Sequence, residues 1–316
     1  MANDSNADHD SGHSLTFAHI TDAHLTSPRG ARWQELCNKR LLSYLSWRRH
    51  RRQVHDSGVL ATLMADLEDR GVDHIAITGD LTHLGLSQEC RQALEWLTAL
   101  ADPNRISLIP GNHDRLVDAA WADTVGLWRP FMVSDQPESR RDHDFPSLRI
   151  RGPVAFIGLS SAVPTAPFLA TGKLGRRQRQ ELERLLTTTG LQGLFRVVLI
   201  HHPPLPGAYK WRKRLVDSEA VSAVIRKAGA ELVLHGHTHR LARHILTGAD
   251  GAAIPVAGLA SASARESSSE RAARYSIWSV RREADGVFSL SHRSRRYDAG
   301  SGDIRECEDW NPLAGS

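Results

Sequence analysis

The sequence predicts an α/β layered fold. Short apolar runs alternate with helical patterns, and each of five runs ends in a loop carrying Asp, Asn or His. The chain has 316 residues, 41% of them hydrophobic, enough for one large core. One domain is expected over 15–297, between a flexible polar tail at 1–14 and a second tail at 298–316.

The first run, Leu15 to Thr21, stops at Asp22 and reads as a buried strand delivering a polar residue at its carboxyl end. His74 to Thr78 leads to Gly79-Asp80, and Ile106 to Ile109 leads to Gly111-Asn112-His113-Asp114. Arg196 to Ile200 leads to His201-His202-Pro203-Pro204, and Glu231 to Leu234 to Gly236-His237-Thr238-His239. Between these strands, Leu60, Leu63, Met64 and Leu67 follow a helical period that Gly71 stops. Cys90, Leu94 and Leu97 mark a second helix, and Leu182, Leu185 and Leu186 a third. Val221, Val224 and Ile225 mark a fourth, capped by Asp217 or Ser218. After His239 only strands are expected, at Leu241 to Leu246, Ala252 to Ala257, Arg274 to Val280 and Val287 to His292, closing the domain as an antiparallel section.

The opening segment has no apolar run fit for a secretory signal or a bilayer span, so a cytoplasmic location is expected. Cys37, Cys90 and Cys307 lie far apart and form no Cys-x-x-Cys pair, so any metal must be held by nitrogen and oxygen. The net charge is +4, and nearly all the positive charge is arginine, a side chain suited to phosphate.

The candidate ligands Asp22, His24, Asp80, Asn112, His201, His237 and His239 combine carboxylate, imidazole and amide oxygen, a mixture that suits divalent transition metals such as Mn, Fe or Zn. A pair of ions needs a bridging ligand, and a carboxylate can bridge where imidazole cannot; Asp80 is the best candidate. Gly79, Gly111 and Gly236 stand where the backbone must turn close to the ions.

The ordered motifs Asp22-x-His24, Gly79-Asp80, Gly111-Asn112-His113-Asp114, His201 and Gly236-His237-x-His239 resemble the metallophosphoesterase, or calcineurin-like phosphoesterase, superfamily. The resemblance implies two packed mixed β-sheets flanked by helices, a four-layer αββα fold. It implies one metal ion on Asp22, His24, Asp80 and His239, a second on Asp80, Asn112, His201 and His237, and attack on phosphorus by a metal-activated water. It also places His113 beside the phosphate as a catalytic group that does not bind metal, with Asp114 orienting it or a ligand. His201, two residues before a proline, takes the ligand role, and His202 is read as packing. His19, His74, His83 and His235 are read as buried histidines outside the site.

The Asp22 to Asp80 spacing is long for compact members and holds a basic insertion at about 30–56. Within it, segment 39–52 joins Leu41, Leu42, Leu45 and Trp47 to a dense basic cluster. Three readings stay open: an anionic lipid or membrane-surface contact, a phosphate clamp, or a solvated helix. A second basic stretch, Lys210 to Arg214, follows the His201 loop, so Arg48, Arg49, Arg212 and Arg214 are candidate substrate contacts. The order of motifs with His201-His202-Pro203-Pro204 looks closest to bacterial cyclic-nucleotide and glycerophosphodiester phosphodiesterases. The expected activity is therefore hydrolysis of a small-molecule phosphodiester. The alternatives are a lipid-linked pyrophosphate hydrolase of the UDP-2,3-diacylglucosamine type and a non-catalytic scaffold of the same fold. No nucleic-acid partner is expected, because no aromatic and basic interleaving of a strand-tracking channel is present.

Overall fold

The computed structural model describes residues 13–136, 145–307 and 310–312. Of the expected tail at 1–14, residues 1–12 lie outside the described residues, and Ser14 already begins the first strand. Strands are β1 (Ser14–Ile20), β2 (His74–Ile77), β3 (Ile106–Leu108), β4 (Ser147–Arg151), β5 (Val154–Leu159) and β6 (Phe195–Ile200). They continue with β7 (Leu232–His235), β8 (Ala242–Thr247), β9 (Ala253–Gly258), β10 (Arg274–Arg282), β11 (Phe288–Tyr297) and β12 (Ile304–Cys307). Helices are α1 (Trp33–Leu36), α2 (Arg40–Ser46), α3 (Arg52–Val54), α4 (Ser57–Glu68), α5 (Ser87–Leu100), α6 (Arg129–Met132), α7 (Gly175–Leu191) and α8 (Ser218–Ala228).

Two six-stranded mixed sheets form, in the orders β12-β11-β10-β1-β2-β3 and β4-β5-β6-β7-β9-β8. Alternation along the central strands explains the layering. Val197, Leu199, Leu232 and Leu234 join Phe17 and Phe156 in the core between the sheets. Their neighbours Val198, Ile200 and Val233 turn the other way, onto Leu182 and Leu186 of α7 and Val221 and Ile225 of α8. The first sheet is covered by α4 and α5 through Leu60, Leu63, Leu67, Cys90 and Leu97. Phe17 and Phe156 meet edge to face at 5.0 Å, one contact between the two sheets. The four-layer expectation holds.

The strands after His239 do not stay together as one closing antiparallel section. β9 pairs in parallel with β7 in the second sheet, whereas β10 crosses to the first and runs antiparallel to β1. A strand's own residues do not name its partner, so local pattern could not separate these. β4 and β5 carried no expectation, although Val154-Ala155-Phe156-Ile157-Gly158-Leu159 is a fully buried apolar run after a Gly-Pro turn. The expected tail from Asp298 is also ordered in part. Ile304–Cys307 pairs with β11 as an edge strand, and the Trp310 ring packs 6.1 Å from Trp278.

Local chemistry fixes the helix ends. Asp56 caps α4 by accepting from the amides of Gly58 at 2.6 Å and Val59 at 3.4 Å. Asp217 precedes α8 as expected, but its carboxylate caps the neighbouring helix instead, accepting from Leu174 and Gly175 at the start of α7. No helix among the described residues is long and apolar enough to cross a membrane.

Candidate metal centre

Five loops at the carboxyl ends of β1, β2, β3, β6 and β7 converge on one cluster. Backbone bonds stitch them together: Asp22 donates its amide to Gly79, His24 to Asp80, and Gly236 to His201, all at 2.9–3.1 Å. Asp22, His24, Asp80 and His239 bring ligand atoms within 4.8 Å of one another, and His201, His202 and His237 form a second such set. Asp80 joins the sets, since its Oδ2 lies 3.9 Å from His24 Nε2 and 3.4 Å from His201 Nε2. Asn112 Oδ1 lies 3.2 Å from the same His201 nitrogen.

Tautomers decide what these contacts mean. A carbonyl only accepts, so His24 Nδ1–H donates to Thr82 O at 2.9 Å and His201 Nδ1–H to Thr78 O at 2.7 Å. In its neutral form each ring therefore presents a bare Nε2 lone pair to carboxylate or amide oxygens, so a positive charge, a proton or a metal ion, is called for at Nε2. Asp22 Oδ1 and His237 Nε2 are buried without a hydrogen-bond partner, and Asp22 Oδ1 lies 3.2 Å from His239 Nε2. Lone pairs gathered on lone pairs in a buried site are costly unless a cation lies between them. The protein's own electrostatics give the same sign: burial opposes charge on His201, yet the Asp80 and Asp22 carboxylates hold its imidazole up to about 9. The donor set thus fits two N/O-ligated divalent ions.

Backbone strain marks the same residues. Six non-glycine residues among those described have positive φ, and five are Asp22, His24, Asp80, His237 and His239. The sixth is Phe168. Glycines give the room: a Cβ on Gly111 would stand 2.1 Å from Asp80 Oδ1, and one on Gly236 would stand 2.1 Å from Thr21 Oγ1.

His113 lies beside the cluster, its ring 5.0 Å from that of His24. Its Nδ1–H donates to His83 O at 2.7 Å, and its Nε2 accepts from Arg51 Nη1 at 2.9 Å. Asp114 does not orient the His113 ring. Its carboxylate accepts from the amides of Asp80, Gly111 and Thr82 at 2.8–2.9 Å and from Thr82 Oγ1 at 3.0 Å, locking the β2 and β3 loops together. Its contacts run to the backbone of the loops that carry the candidate ligands Asp80 and Asn112. Buried Glu89 does the same for the next turn, accepting from the amides of His83, Leu84 and Leu86.

Both nitrogens of His202 are taken, Nδ1 by Ser161 Oγ at 2.8 Å and Nε2 by Ala170 O at 3.2 Å. His19 and His74 bond hydroxyls, Thr78 and Ser107 respectively, inside the fold. Sequence reasoning missed His55, whose ligand nitrogen lies within 4.8 Å of those of His24 and His239 and whose Nδ1 bonds Ser263 Oγ. No motif pointed to it.

The basic insertion folds as α1, α2, a π-helical turn at Trp47–Arg51, and α3. Two of its cations are structural: Arg40 donates to Leu84 O and Gly85 O, and Lys39 donates to Thr165 Oγ1 and Leu169 O. Arg48 and Arg49, named from the sequence, are exposed, and the arginine that reaches His113 is Arg51. In the second basic stretch Arg212 and Arg214 are likewise exposed. Lys213 beside them is exposed as well, and partial desolvation with the Arg51 charge lowers its pKa.

The sequence profile described as calcineurin-like phosphoesterase matches residues 15–241, most of the chain and every candidate ligand. The chain belongs to the calcineurin-like phosphoesterase family. Among solved structures, this phosphoesterase chain is similar to a dimetal phosphatase from Danio rerio, with TM-score 0.50 and 15% identity over 94% of this chain and 98% of that one. It is also similar to the purple acid phosphatase PPD1 from yellow lupin (Lupinus luteus) seeds, with TM-score 0.51 and 13% identity over 93% of this chain and 53% of that one. These likenesses concern the fold. No curated protein matches the sequence.

Proposed function

We propose that this phosphoesterase hydrolyses a phosphodiester of a small molecule at a dinuclear metal centre. The observation that supports the dinuclear centre is the position of Asp80, whose one oxygen faces His24 on one side and His201 on the other. Asp22, His24, Asp80 and His239 would hold one ion, and Asp80, Asn112, His201 and His237 the other. Bound Mn, Fe or Zn would supply Lewis-acid charge and an activated water nucleophile.

The chain's own residues supply the rest. Arg51 offers a guanidinium at the edge of the cluster, suited to a non-bridging phosphate oxygen. His113, fixed through Nδ1 to the His83 carbonyl, holds a bare Nε2 that accepts from Arg51; with Arg51 turned to the phosphate and Nε2 protonated, that nitrogen would donate to the leaving oxygen. Asp114 and Glu89 keep the ligand loops from relaxing. The preference for a diester is supported by the resemblance in the His201-His202-Pro203-Pro204 segment, and the presence of all seven ligands with His113 speaks against a scaffold without activity.

Metal analysis and two substrates test this. Purified protein should carry close to two transition-metal ions, and with Mn it should cleave bis(p-nitrophenyl) phosphate. Rapid turnover of p-nitrophenyl phosphate with no cleavage of the diester would overturn the diester assignment. A protein that neither binds metal nor gains activity with Mn would overturn the enzyme assignment. His113→Ala should keep its metal and lose rate, whereas Asp80→Ala should lose both.

A further inference from the structure

Beside the metal centre lies a cleft of about 440 Å³ lined by Phe168, Ala170, Lys210, Trp211, Arg212 and Lys213. Its volume is that of a small-molecule site. Its chemistry is unusual for a surface depression: two aromatic rings and three cations, with no carboxylate. Phe168 is 76% exposed and Trp211, with the Arg212 guanidinium 5.2 Å from its ring centroid on one face, is 59% exposed, so the open ring surfaces offer apolar area to an incoming group.

The cleft is built, not incidental. Phe168 has φ +65°, a conformation a bulky side chain rarely adopts, and it is the one such residue outside the proposed ligands among the described residues. The turn that holds it is pinned: Leu169 N bonds Ala166 O, and Leu169 O accepts from Thr165 Oγ1 and Lys39 Nζ at 2.8 and 2.7 Å. The opposite wall is pinned to it, since Ala170 N bonds Arg212 O and Gly172 N bonds Arg214 O. Both loops and the insertion therefore form one preorganised rim.

One wall of the cleft is one buried side chain away from the cluster. The Ala170 carbonyl accepts from His202, whose ring lies 4.4 Å from that of His237. Lys213 lines the cleft and supplies a cation on its wall.

We infer that the cleft between Phe168 and Trp211 binds a hydrocarbon substituent of the phosphate ester, making the substrate class an anionic amphiphile. A sugar or another strongly hydroxylated group would find few hydrogen-bond acceptors here, because the side chains carry donors and apolar faces. An alkyl or acyl chain buries the two rings while its phosphate meets Lys213 and Arg51. The assignment rests on the phosphoesterase reading, and its test separates the two.

The experiment is equilibrium binding of ethyl phosphate and octyl phosphate, both monomeric in solution, to the Mn-loaded protein by calorimetry. Octyl phosphate should bind at least tenfold more tightly than ethyl phosphate. Phe168→Asn combined with Trp211→Ser should reduce that ratio below threefold and leave ethyl phosphate affinity within twofold. Both side chains are exposed, and Asn tolerates the positive φ, so the fold is not at stake. Equal affinity for the two phosphates, or a preference that survives in the double variant, overturns the proposal. Failure of the phosphoesterase reading looks different: no turnover of any phosphate ester with Mn, while the tenfold binding ratio and its loss in the double variant persist.

Discussion

Gly111→Ala isolates how much the centre depends on close backbone approach. The added Cβ would lie 2.1 Å from Asp80 Oδ1, 2.5 Å from Asp80 N and 2.7 Å from Asp80 Cγ. Ordinary contact begins at 3.4 Å, so the β2 and β3 loops must part by about 1.3 Å at this point. That movement falls on the carboxylate between the two imidazole sets and on the amides of Gly111 and Asp80, which both bond Asp114. Overpacking of this kind costs roughly 1–3 kcal/mol of stability. A ligand misplaced by about 1 Å costs roughly 100-fold in rate. The variant should therefore stay folded, hold less than half the metal and lose about 100-fold in kcat, measured by metal analysis, circular dichroism and turnover of bis(p-nitrophenyl) phosphate. Gly251→Ala is the control: its Cβ meets nothing within 4 Å although φ is +85°, so it should lose about 1 kcal/mol and no metal. Full metal content and a rate within twofold of the parent in Gly111→Ala would refute the reasoning.

Arg51→Ala should keep both ions and reduce kcat/KM by roughly 10–100-fold, with Arg51→Lys recovering part of it; parental kinetics would remove Arg51 from the site. Asp66 receives Arg295 Nε at 2.6 Å and Tyr275 Oη at 2.5 Å, joining α4 to β10 and β11. Burial opposes ionisation of Asp66, but the Arg295 and Tyr275 hydrogen bonds outweigh it and depress its pKa. A depressed carboxylate stabilises the fold above its unfolded value of about 3.9 and loses that share as pH falls through the folded value. Asp66→Asn should therefore cost about 2 kcal/mol at pH 7 in urea unfolding and flatten the loss below about pH 4. Asp217→Ala should destabilise by about 1–2 kcal/mol through α7, visible as faster amide exchange at Leu174 and Gly175 and not at the start of α8.

The candidate ligands were legible because each belongs to a local unit: an apolar strand with a polar residue at its carboxyl end, preceded by a glycine at Asp80, Asn112 and His237. Such a unit spans a few residues and keeps its meaning wherever it is placed, so Asp22, Asp80, Asn112, His201 and His237 could be named without knowing their neighbours. The alternation of strand and helix and the four long helices follow from the same short-range periodicity.

Tertiary structure alone decided which residues surround those ligands, because partners far apart in sequence meet through packing that no local pattern encodes. It placed Arg51 rather than Arg48 or Arg49 at His113, since a π-helical turn sets which side of the insertion faces inward. It turned Asp114 toward the backbone of three loop residues and Asp217 toward a neighbouring helix. It split the late strands between two sheets and set Phe168 opposite Trp211 across a cleft. The sequence alone determined the chemistry at the ends of the strands. Packing determined what can reach it, because long side chains and loop pairs are directed by contacts made across the whole fold.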